Sequence, residues 1–298
     1  MINTPFVIDR RAVMRAFSRA APGYEAAARL ARQVRADLLD RLQFFPLKPA
    51  RVLDLGAGTC ESSQQLHGRF PRAQVLAIDI AEGMLRAALE TRWRWQRAGF
   101  TRVCAEAVAL PLRAQSIDLI FSNLMLHWCD RPQVVFEEFV RVLRPGGLLL
   151  FSTFGPDTLG ELRAAWGAAD DRNHVSVFPD MHELGNGLMH AGLAEPVLDV
   201  EHHRHHYADA RALMRELKLL GAPNAVHDRA RGLTGRHHLD RMLSAYEGMR
   251  EEQGLPATFE VISGAAFADD GTSHTGRHGP GADGEFAVPV TAIRTTRR

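Results

Sequence analysis

The most constraining feature of this sequence is a short apolar run, residues 52–55, that leads directly into two closely spaced glycines. Such a run is typical of a buried strand, and the glycines permit positive φ angles and let the backbone pass close to a bound molecule. Asp54 lies near the end of the run, where its carboxylate can accept hydrogen bonds from a cationic ligand. We therefore predict a ligand site at Asp54, Gly56, Ala57 and Gly58.

The spacing of these glycines argues against a dinucleotide. The dinucleotide-binding fingerprint would need a third glycine at position 61, and that position is Glu61. Pyrophosphate therefore fits this loop poorly. We expect a positively charged ligand that carries no phosphate.

Length and composition indicate a globular chain with a sizeable core. The 298 residues suit one α/β domain with an insertion or two small domains, and 46% of them are hydrophobic and 24% charged. No apolar stretch approaches the roughly 20 residues needed to cross a bilayer. A net charge of +1 argues against nucleic-acid binding, which depends on neutralising phosphates. We expect neither a membrane nor a nucleic acid among the partners.

The cysteines and the amino-terminal residues indicate the cellular compartment of the protein. Cys60, Cys104 and Cys129 are odd in number and lack the spacing of a disulfide framework or a zinc site. Residues 1–11 contain no apolar segment of the kind found in signal peptides. These observations predict a cytoplasmic protein.

Strand and helix patterns alternate from residue 51 onward. Short apolar runs predict strands at 51–55, 74–78, 117–121 and 148–154, and the patterns between them predict helices at 61–70, 82–97 and 132–143. Pro145, Gly146 and Gly147 predict a tight turn into the last of these strands. Because such alternation forms βαβ units, we expect a mostly parallel, seven-stranded Rossmann-like sheet with helices on both faces.

Helical segments flank this core. The remaining patterns predict two helices within 9–42, a strand at 195–207, helices at about 208–220 and 236–253, and a strand at 258–267. We expect an N-terminal helical cap (1–45), a core (46–207), a helical insertion (208–256), a last core strand (257–267) and a mobile loop and tail (268–298). Residues 268–284 have almost no large apolar side chains that could stabilise an ordered conformation.

Polar residues follow the expected strands, at the sheet edge where open α/β folds bind their ligands. Asp79 ends the second strand about 25 positions after Asp54, where such folds place a carboxylate that accepts both ribose hydroxyls. The alternative is that Asp79 caps the helix that begins near Glu82. Asn123 comes shortly after the strand at 117–121, so we expect it at the same ligand-binding edge of the sheet.

An aromatic pair, His127 and Trp128, comes shortly after Asn123. Trp128 suits a half-wet pocket edge because its indole N–H needs a partner while the ring is apolar, although a core position fits equally well. His127 has the chemistry of a base, and the alternative is a hydrogen-bonded structural histidine.

Four histidines, at positions 202, 203, 205 and 206, lie within the strand predicted at 195–207. Alternation along a strand sends residues 202 and 206 to one face and residues 203 and 205 to the other. No three-ligand side forms locally, so we expect no metal site. The alternative to a metal cluster is an exposed polar strand.

The central motifs resemble those of class I S-adenosylmethionine (SAM) methyltransferases. The matching segments, in order, are the glycine motif at 52–58, Asp79, Leu110-Pro111-Leu112, Phe121-Ser122-Asn123 and 143–147. Cys60 replaces the third glycine of the family pattern, and Glu106 replaces an aspartate that contacts the adenine amino group. The alternative for Glu106 is an exposed surface glutamate. The resemblance implies a SAM site formed by Asp54, Gly56, Ala57, Gly58, Asp79, Ile80, Met84, Glu106, Ala107, Asn123 and Leu126.

The flanking segments resemble the malonyl-acyl-carrier-protein O-methyltransferases of biotin synthesis. They lie at 15–24, 151–162 and 216–224, and the likeness extends over 9–267. It implies methylation of the free carboxylate of malonyl on a phosphopantetheine arm, with S-adenosylhomocysteine as the second product. The substrate-binding residues implied are Arg19, Tyr24, His127, Trp128, Phe154 and Arg215.

A carboxylate is ionised at neutral pH, so this reaction needs no general base and depends mainly on alignment in a dry pocket. The buried anion needs a donor, for which an arginine fork is well suited, and we expect Arg19 or Arg215 in that role. Acyl carrier proteins are acidic, so the insertion offers a docking face. The residues that we assign to this docking face are Arg211, Arg215, Lys218, Arg236 and Arg241.

Two other functions are compatible with these motifs. One is a SAM methyltransferase that acts on a free small carboxylic acid, which would need no basic exterior near its pocket. The other is an assembly factor of mitochondrial complex I that hydroxylates an arginine, because the segment 151–159 also resembles such proteins. The lack of an Arg-rich amphipathic presequence in residues 1–11 argues against the second.

Overall fold

Seven strands form a single sheet in this computed structural model, which describes residues 8–90, 99–222, 224, 225, 232 and 234–269. The strands are β1 (Arg51–Leu55), β2 (Gln74–Asp79), β3 (Phe100–Cys104), β4 (Ile117–Ser122), β5 (Leu143–Phe154), β6 (Leu193–Tyr207) and β7 (Leu255–Ala268). Their order is β3-β2-β1-β4-β5-β7-β6. Strands β1 to β5 pair in parallel, and β7 is antiparallel to both β5 and β6. The predicted seven-stranded, mostly parallel sheet is confirmed.

Helices cover both faces of the sheet, as predicted. In chain order they are α1 (Arg10–Ala20), α2 (Tyr24–Ala27), α3 (Arg29–Arg41), α4 (Glu61–Arg69), α5 (Glu82–Glu90), α6 (Pro132–Val142), α7 (Gly160–Gly167), α8 (Met181–Ala191), α9 (Ala210–Leu219) and α10 (Arg236–Glu247). None of these described helices has the length and hydropathy of a membrane span.

Alternation along the strands divides the core into two layers. Ile120 of β4 packs with Phe136 of α6 on one face, and its neighbour Phe121 packs with Leu38 of α3 on the other. All four side chains are fully buried. The parallel strands are thus apolar on both sides, which explains their continuous hydrophobic runs.

A third cluster forms away from the sheet centre. Trp166 of α7, Leu213 of α9 and Tyr246 of α10 pack together with Phe259 of β7. The insertion between β6 and β7 therefore has apolar contacts of its own, and its helix α10 packs against α7, the helix that follows β5.

The chain leaves β1 toward β2 on one side and returns to β4 on the other, so the order of the parallel strands reverses between β1 and β4. Ligands of open α/β sheets bind at such a reversal, beyond the carboxyl ends of the strands. Gly56 follows β1, Asp79 ends β2 and Asn123 follows β4. The sheet therefore brings the predicted site residues to one edge.

Several predicted boundaries differ from the observed ones. Strand β5 begins at Leu143, and its pairing with β4 shifts between Ile117↔Leu143 and Leu119↔Leu148. The predicted turn is therefore an irregularity within the strand, where Gly146 has a φ of +73°. The N-terminal cap contains three helices because Ala28 separates α2 from α3. Strand β3 and helices α7 and α8 were not predicted, and most of 91–97 and 268–298 lies outside the described residues.

Candidate functional site

Two adjoining cavities lie at the carboxyl ends of the parallel strands. The inner cavity is bordered by the ends of β1, β2 and β4 together with α1 and α9. The outer cavity is bordered by α1, α7 and α9 and by the loop at 173–178. Residues that line both are His127, Trp128, Phe154, Leu217, Ala222 and Phe259. We call the first three of these the junction.

Most of the predicted site residues line one of the two cavities. Those at the inner cavity are Tyr24, Gly56, Gly58, Asp79, Ile80, Met84, Glu106, Ala107, Asn123, His127, Trp128 and Phe154. Arg19 and Arg215 line the outer cavity. Asp54, Ala57 and Leu126 are buried and line neither, so their contact with a ligand stays a prediction.

The glycine turn after β1 has the predicted backbone conformation. Gly56 and Gly58 have φ angles of +74° and +53°. A Cβ atom on Gly56 would lie 2.4 Å from Cγ of Met125, so a larger residue would displace that side chain. Cys60, which replaces the third glycine of the family pattern, also has a positive φ of 64°. The turn therefore keeps its shape despite the cysteine.

Asp79 joins this turn to the end of β2. Its Oδ2 accepts the backbone N–H of Gly58 at 2.8 Å, and its Oδ1 accepts that of Ala81 at 2.7 Å. Burial raises the pKa of Asp79, although these N–H groups stabilise the charged form. A carboxylate has about four acceptor positions, so lone pairs remain for hydroxyl groups in the cavity. The ribose contact stays a prediction, and the contact with the start of the next helix is present.

Asp54 lies beneath the turn rather than in the cavity wall. It is 1% exposed, and its Oδ2 accepts a hydrogen bond from Oγ of Ser63 at 2.5 Å. Burial raises the pKa of Asp54 from 3.8 to about 7, and the Ser63 hydroxyl opposes this shift. The folded protein therefore changes its charge state at this position near neutral pH.

Arg10 ties the N-terminal cap to the predicted adenine side of the inner cavity. Its Nη1 lies 2.9 Å from Oε2 of Glu106, and its Nη2 lies 2.9 Å from Oδ1 of Asp130. Glu106 is thus an exposed, ion-paired residue that also lines the cavity. Its predicted adenine contact stays a prediction.

Asn123 uses both ends of its amide to connect neighbouring elements. Its Nδ2 donates to the carbonyl oxygen of Ala31 in α3, and its Oδ1 accepts from Oγ of Ser152 in β5, each at 3.0 Å. Its side chain therefore positions the cap above the sheet edge, while the residue lines the inner cavity.

The two cavities differ in charge. The inner one is lined by four carboxylate residues, Asp79, Glu106, Asp130 and Glu216, and by Arg10. The outer one is lined by Arg19, Arg215 and Lys218, and none of its described lining residues is an Asp or Glu. The inner cavity therefore favours a cation and the outer cavity an anion.

Gly221 allows the cap and the insertion to meet at the outer cavity. Its φ is +67°, and a Cβ atom there would lie 2.9 Å from Cβ of Ala20 and 3.0 Å from the carbonyl oxygen of Ala16. The backbone after α9 thus contacts α1 directly. This contact places Arg19 of α1 and Arg215 of α9 around the same cavity.

The junction between the cavities is aromatic. The His127 ring lies 4.6 Å from Phe154, 5.2 Å from Trp128 and 5.7 Å from Phe178, measured between ring centroids. Burial among these rings lowers the pKa of His127 to about 3. His127 is therefore neutral at physiological pH, and a role as a general base that titrates near pH 7 does not fit.

Several lining residues of the inner cavity were not predicted. They include Arg10, Val13, Phe17, Leu30, Met125 and Glu216. Val13 and Phe17 lie four positions apart on α1, so helical periodicity could have placed them on one face. Arg10 and Glu216 lie on surface-like polar segments, and nothing in their local sequence indicates a cavity.

The histidine-rich strand alternates as predicted, but it is not wholly exposed. His203 and His205, which share one face of β6, are each 8% exposed. The expectation of an exposed polar strand is therefore wrong for the face that carries these two residues. His205 packs against Phe259 of β7 at 5.5 Å between centroids. On the other face, ligand atoms of His202, Asp157 and Glu260 lie within 4.8 Å of one another. Two of these come from other segments, which the local alternation could not reveal.

Comparison with known proteins first identifies the core of the chain. Residues 53–151 match a family model described as a methyltransferase domain. The YcgJ protein of Bacillus subtilis has a TM-score of 0.57 at 16% identity, over 78% of this chain and 98% of that one. The [4+2]-cyclase SpnF has a TM-score of 0.50 at 19% identity, over 78% of this chain and 80% of that one. The fold is therefore shared with a protein named as a cyclase, and it does not by itself define the reaction.

Curated relatives cover almost the whole chain. A protein of Gallionella capsiferriformans (strain ES-2) is 46% identical over 88% of this chain and 92% of its own length. One of Methylovorus sp. (strain MP688) is 48% identical over 90% and 92%, respectively. A third, of Coxiella burnetii (strain RSA 493 / Nine Mile phase I), is 40% identical over 98% and 99%. The first two are named malonyl-[acyl-carrier protein] O-methyltransferase, and the third has the same name with the number 1.

Proposed function

This chain belongs to the malonyl-[acyl-carrier protein] O-methyltransferase family, and we propose that it methylates the free carboxylate of a malonyl group carried on the phosphopantetheine arm of an acyl carrier protein. SAM is the methyl donor, and the products are the methyl ester and S-adenosylhomocysteine. The observation that carries the proposal is the division of charge between two joined cavities.

The acidic inner cavity fits the cationic donor. When bound, SAM supplies a methyl group on a positively charged sulfur, whose transfer leaves a neutral thioether. Asp79 has free lone pairs for the ribose hydroxyls, and the turn at Gly56 and Gly58 receives the amino-acid end. We assign adenine to Glu106 and the backbone N–H of Ala107, which line the same cavity.

The remaining inner residues that we assign to the cofactor are Ile80, Met84 and Asn123, which line the same cavity. Asp54, Ala57 and Leu126 support this wall from behind, since all three are buried beneath it.

The basic outer cavity fits an anionic substrate on a long arm. A malonyl thioester carries a carboxylate at one end, and its phosphopantetheine arm carries a phosphate at the other. Arg19, Arg215 and Lys218 line the passage that such an arm would follow. The arm would then present the carboxylate at the junction, beside Trp128 and Phe154.

The reaction requires alignment and no proton transfer. A carboxylate is ionised far above its ordinary pKa of about 4 and is already nucleophilic. Its oxygen forms the new bond to the methyl carbon while the C–S electron pair returns to sulfur. Holding the reactants in line can lower the barrier by about 7–11 kcal/mol. The rings of Trp128 and Phe154 at the junction exclude water from the space between the carboxylate oxygen and the methyl carbon.

Exposed basic residues on the insertion support docking of an acidic carrier. Arg215 and Lys218 are exposed and line the outer cavity, and Leu219 beside them is 57% exposed. Within the described part of the chain, no carboxylate forms an ion pair with either cation. We assign Arg211, Arg236 and Arg241 of α9 and α10 to the periphery of the same docking face.

Neither alternative function is favoured by the relatives, whose names specify a carrier-bound malonyl substrate. A free small acid would not need three cations along an outer cavity, and arginine hydroxylation is a different reaction from the one these names give. Purified protein with labelled SAM tests the proposal, using malonyl carrier protein and free malonate as parallel substrates. We expect ester on the carrier-bound substrate. Equal turnover of both substrates would favour the small-acid enzyme.

A further inference from the structure

His127 occupies the point where the two cavities meet, and its ring lacks a polar partner. Neither ring nitrogen forms a hydrogen bond with a described residue, and its three ring contacts are all aromatic. Nδ1 is a buried polar atom without a hydrogen-bond partner among the residues that the structure describes. Nε2 is not a fully buried atom of this kind. It is therefore the ring nitrogen that faces the cavities.

The burial of Nδ1 determines which nitrogen carries the proton. A neutral imidazole has one N–H donor and one acceptor nitrogen. A proton on Nδ1 would create a buried N–H group without an acceptor, which is rarer and less favourable than an unpaired acceptor. The favoured tautomer therefore has its N–H at Nε2, facing the junction.

The substrate carboxylate needs a donor at this point. Burying a carboxylate without a hydrogen bond is costly, and one of its oxygens must stay free to attack the methyl group. Arg19 and Arg215, which the sequence suggests for this task, are exposed and line only the outer cavity. Arg10 reaches the inner cavity but is held by Glu106 and Asp130.

We propose that Nε2–H of His127 donates a hydrogen bond to the non-attacking oxygen of the malonyl carboxylate and thereby orients the other oxygen toward the methyl group. This inference rests on the proposed function. It makes His127 a substrate-orienting residue that acts as a neutral donor, not as a base.

A neutral donor has a chemical advantage over an arginine here. A guanidinium would form a bidentate ion pair with both carboxylate oxygens and reduce the nucleophilicity of each. The lowered pKa of His127 keeps its ring uncharged throughout the physiological range. The charged residues that line the two cavities beside His127 are Arg10, Asp79, Glu106, Asp130 and Glu216 on the inner side and Arg19, Arg215 and Lys218 on the outer side.

Amide isosteres distinguish the two ring nitrogens. The Gln amide nitrogen occupies roughly the position of Nε2, and the Asn amide nitrogen roughly that of Nδ1. Three variants, His127→Phe, His127→Gln and His127→Asn, are compared with the wild type for kcat with malonyl carrier protein and for SAM affinity by calorimetry. We expect the Phe and Asn variants to lose about 10- to 100-fold in kcat and the Gln variant to recover most of it, with SAM affinity unchanged.

The pH profile provides a second measurement. Because His127 stays neutral, it adds no ionisation of its own, so the profiles of kcat against pH for the wild type and the Gln variant should be parallel between about pH 6 and 9. A Phe variant with wild-type kcat, or an Asn variant that outperforms the Gln variant, would overturn the role of Nε2. Absence of ester formation by the wild type would instead contradict the proposed function, so the two failures are distinguishable.

Discussion

The carboxylate of Asp79 accepts the backbone N–H of Gly58 at 2.8 Å, which makes the end of β2 and the turn after β1 a single hydrogen-bonded unit. The same carboxylate accepts the N–H of Ala81 at 2.7 Å. A loss of Asp79 would therefore affect the shape of the turn as well as any direct contact with ribose. Asparagine has one acceptor oxygen and can keep one of these two backbone hydrogen bonds, whereas alanine loses both.

We predict that Asp79→Asn weakens SAM binding by about 10- to 100-fold, because charge-assisted hydrogen bonds to ribose contribute about 1.5–3 kcal/mol each. Calorimetric titration with SAM measures this change. Glu82→Gln is the control, since Glu82 is exposed on α5 and pairs only with Arg86 within the described structure. Equal affinities of the Asn variant and the wild type would show that Asp79 has no ribose contact.

The second prediction concerns Asp54 and pH. The pKa of this carboxyl is about 7 in the folded protein and near 3.8 in the unfolded chain. Between pH 3.8 and 7 the folded state therefore keeps a proton that the unfolded state has lost. Its stabilising contribution is fully present below about pH 4 and is lost as the pH rises through about 7. Asp54→Asn removes this titration, so relative to the wild type it should gain stability between pH 5 and 7 and show no further relative gain above about pH 8.

Urea unfolding without SAM, repeated across this pH range, measures the difference in the free energy of unfolding. The slope should not exceed about 1.4 kcal/mol per pH unit. Asp240→Asn serves as the control because Asp240 is largely exposed on α10. Parallel pH curves for the Asp54 variant and the wild type would mean that Asp54 is ionised throughout.

The sequence predicted those parts of the site that depend on local pattern. Gly56 and Gly58 follow β1 and Asp79 ends β2, and the apolar runs of both strands are largely buried. The carboxyl ends of parallel strands meet at one edge of the sheet. Strand β3 escaped prediction because it is an edge strand with polar and partly exposed residues, including Thr101 and Arg102. It has no continuous apolar run to detect.

Helix α8 escaped prediction for a different reason. Gly185 and Gly187 lower the helix propensity of this segment, although its capping box at Asp180 and Glu183 was a usable signal. Contacts between distant positions left no trace in the sequence. Arg10 pairs with Glu106 across 96 positions, for example, and neither residue's local sequence indicates the other.

The third prediction is that the protein requires no metal at its histidine-rich strand. His202 Nε2 lies 3.2 Å from Oδ2 of Asp157, and the carboxylate of Glu260 accepts the backbone N–H of Asp157 at 2.7 Å. These groups already stabilise one another, so His202→Ala should leave both metal content and methyl transfer unchanged. Elemental analysis of dialysed protein measures the first. Stoichiometric metal that is lost in this variant but kept in His182→Ala, an exposed control on α8, would contradict the prediction.

The last prediction concerns the carrier and rests on the positions of Arg215 and Lys218 at the outer cavity. Reversing both charges, Arg215→Glu with Lys218→Glu, removes attraction toward an acidic carrier and adds repulsion. The KM for malonyl carrier protein should rise about tenfold at low salt, and the increase should shrink in high salt because exposed charges are screened. SAM affinity should not change, since neither residue lines the inner cavity. Arg69→Glu on α4 reverses an exposed charge away from both cavities and should have no such effect. If the double variant and this control show the same KM at every salt concentration, the carrier does not dock at α9.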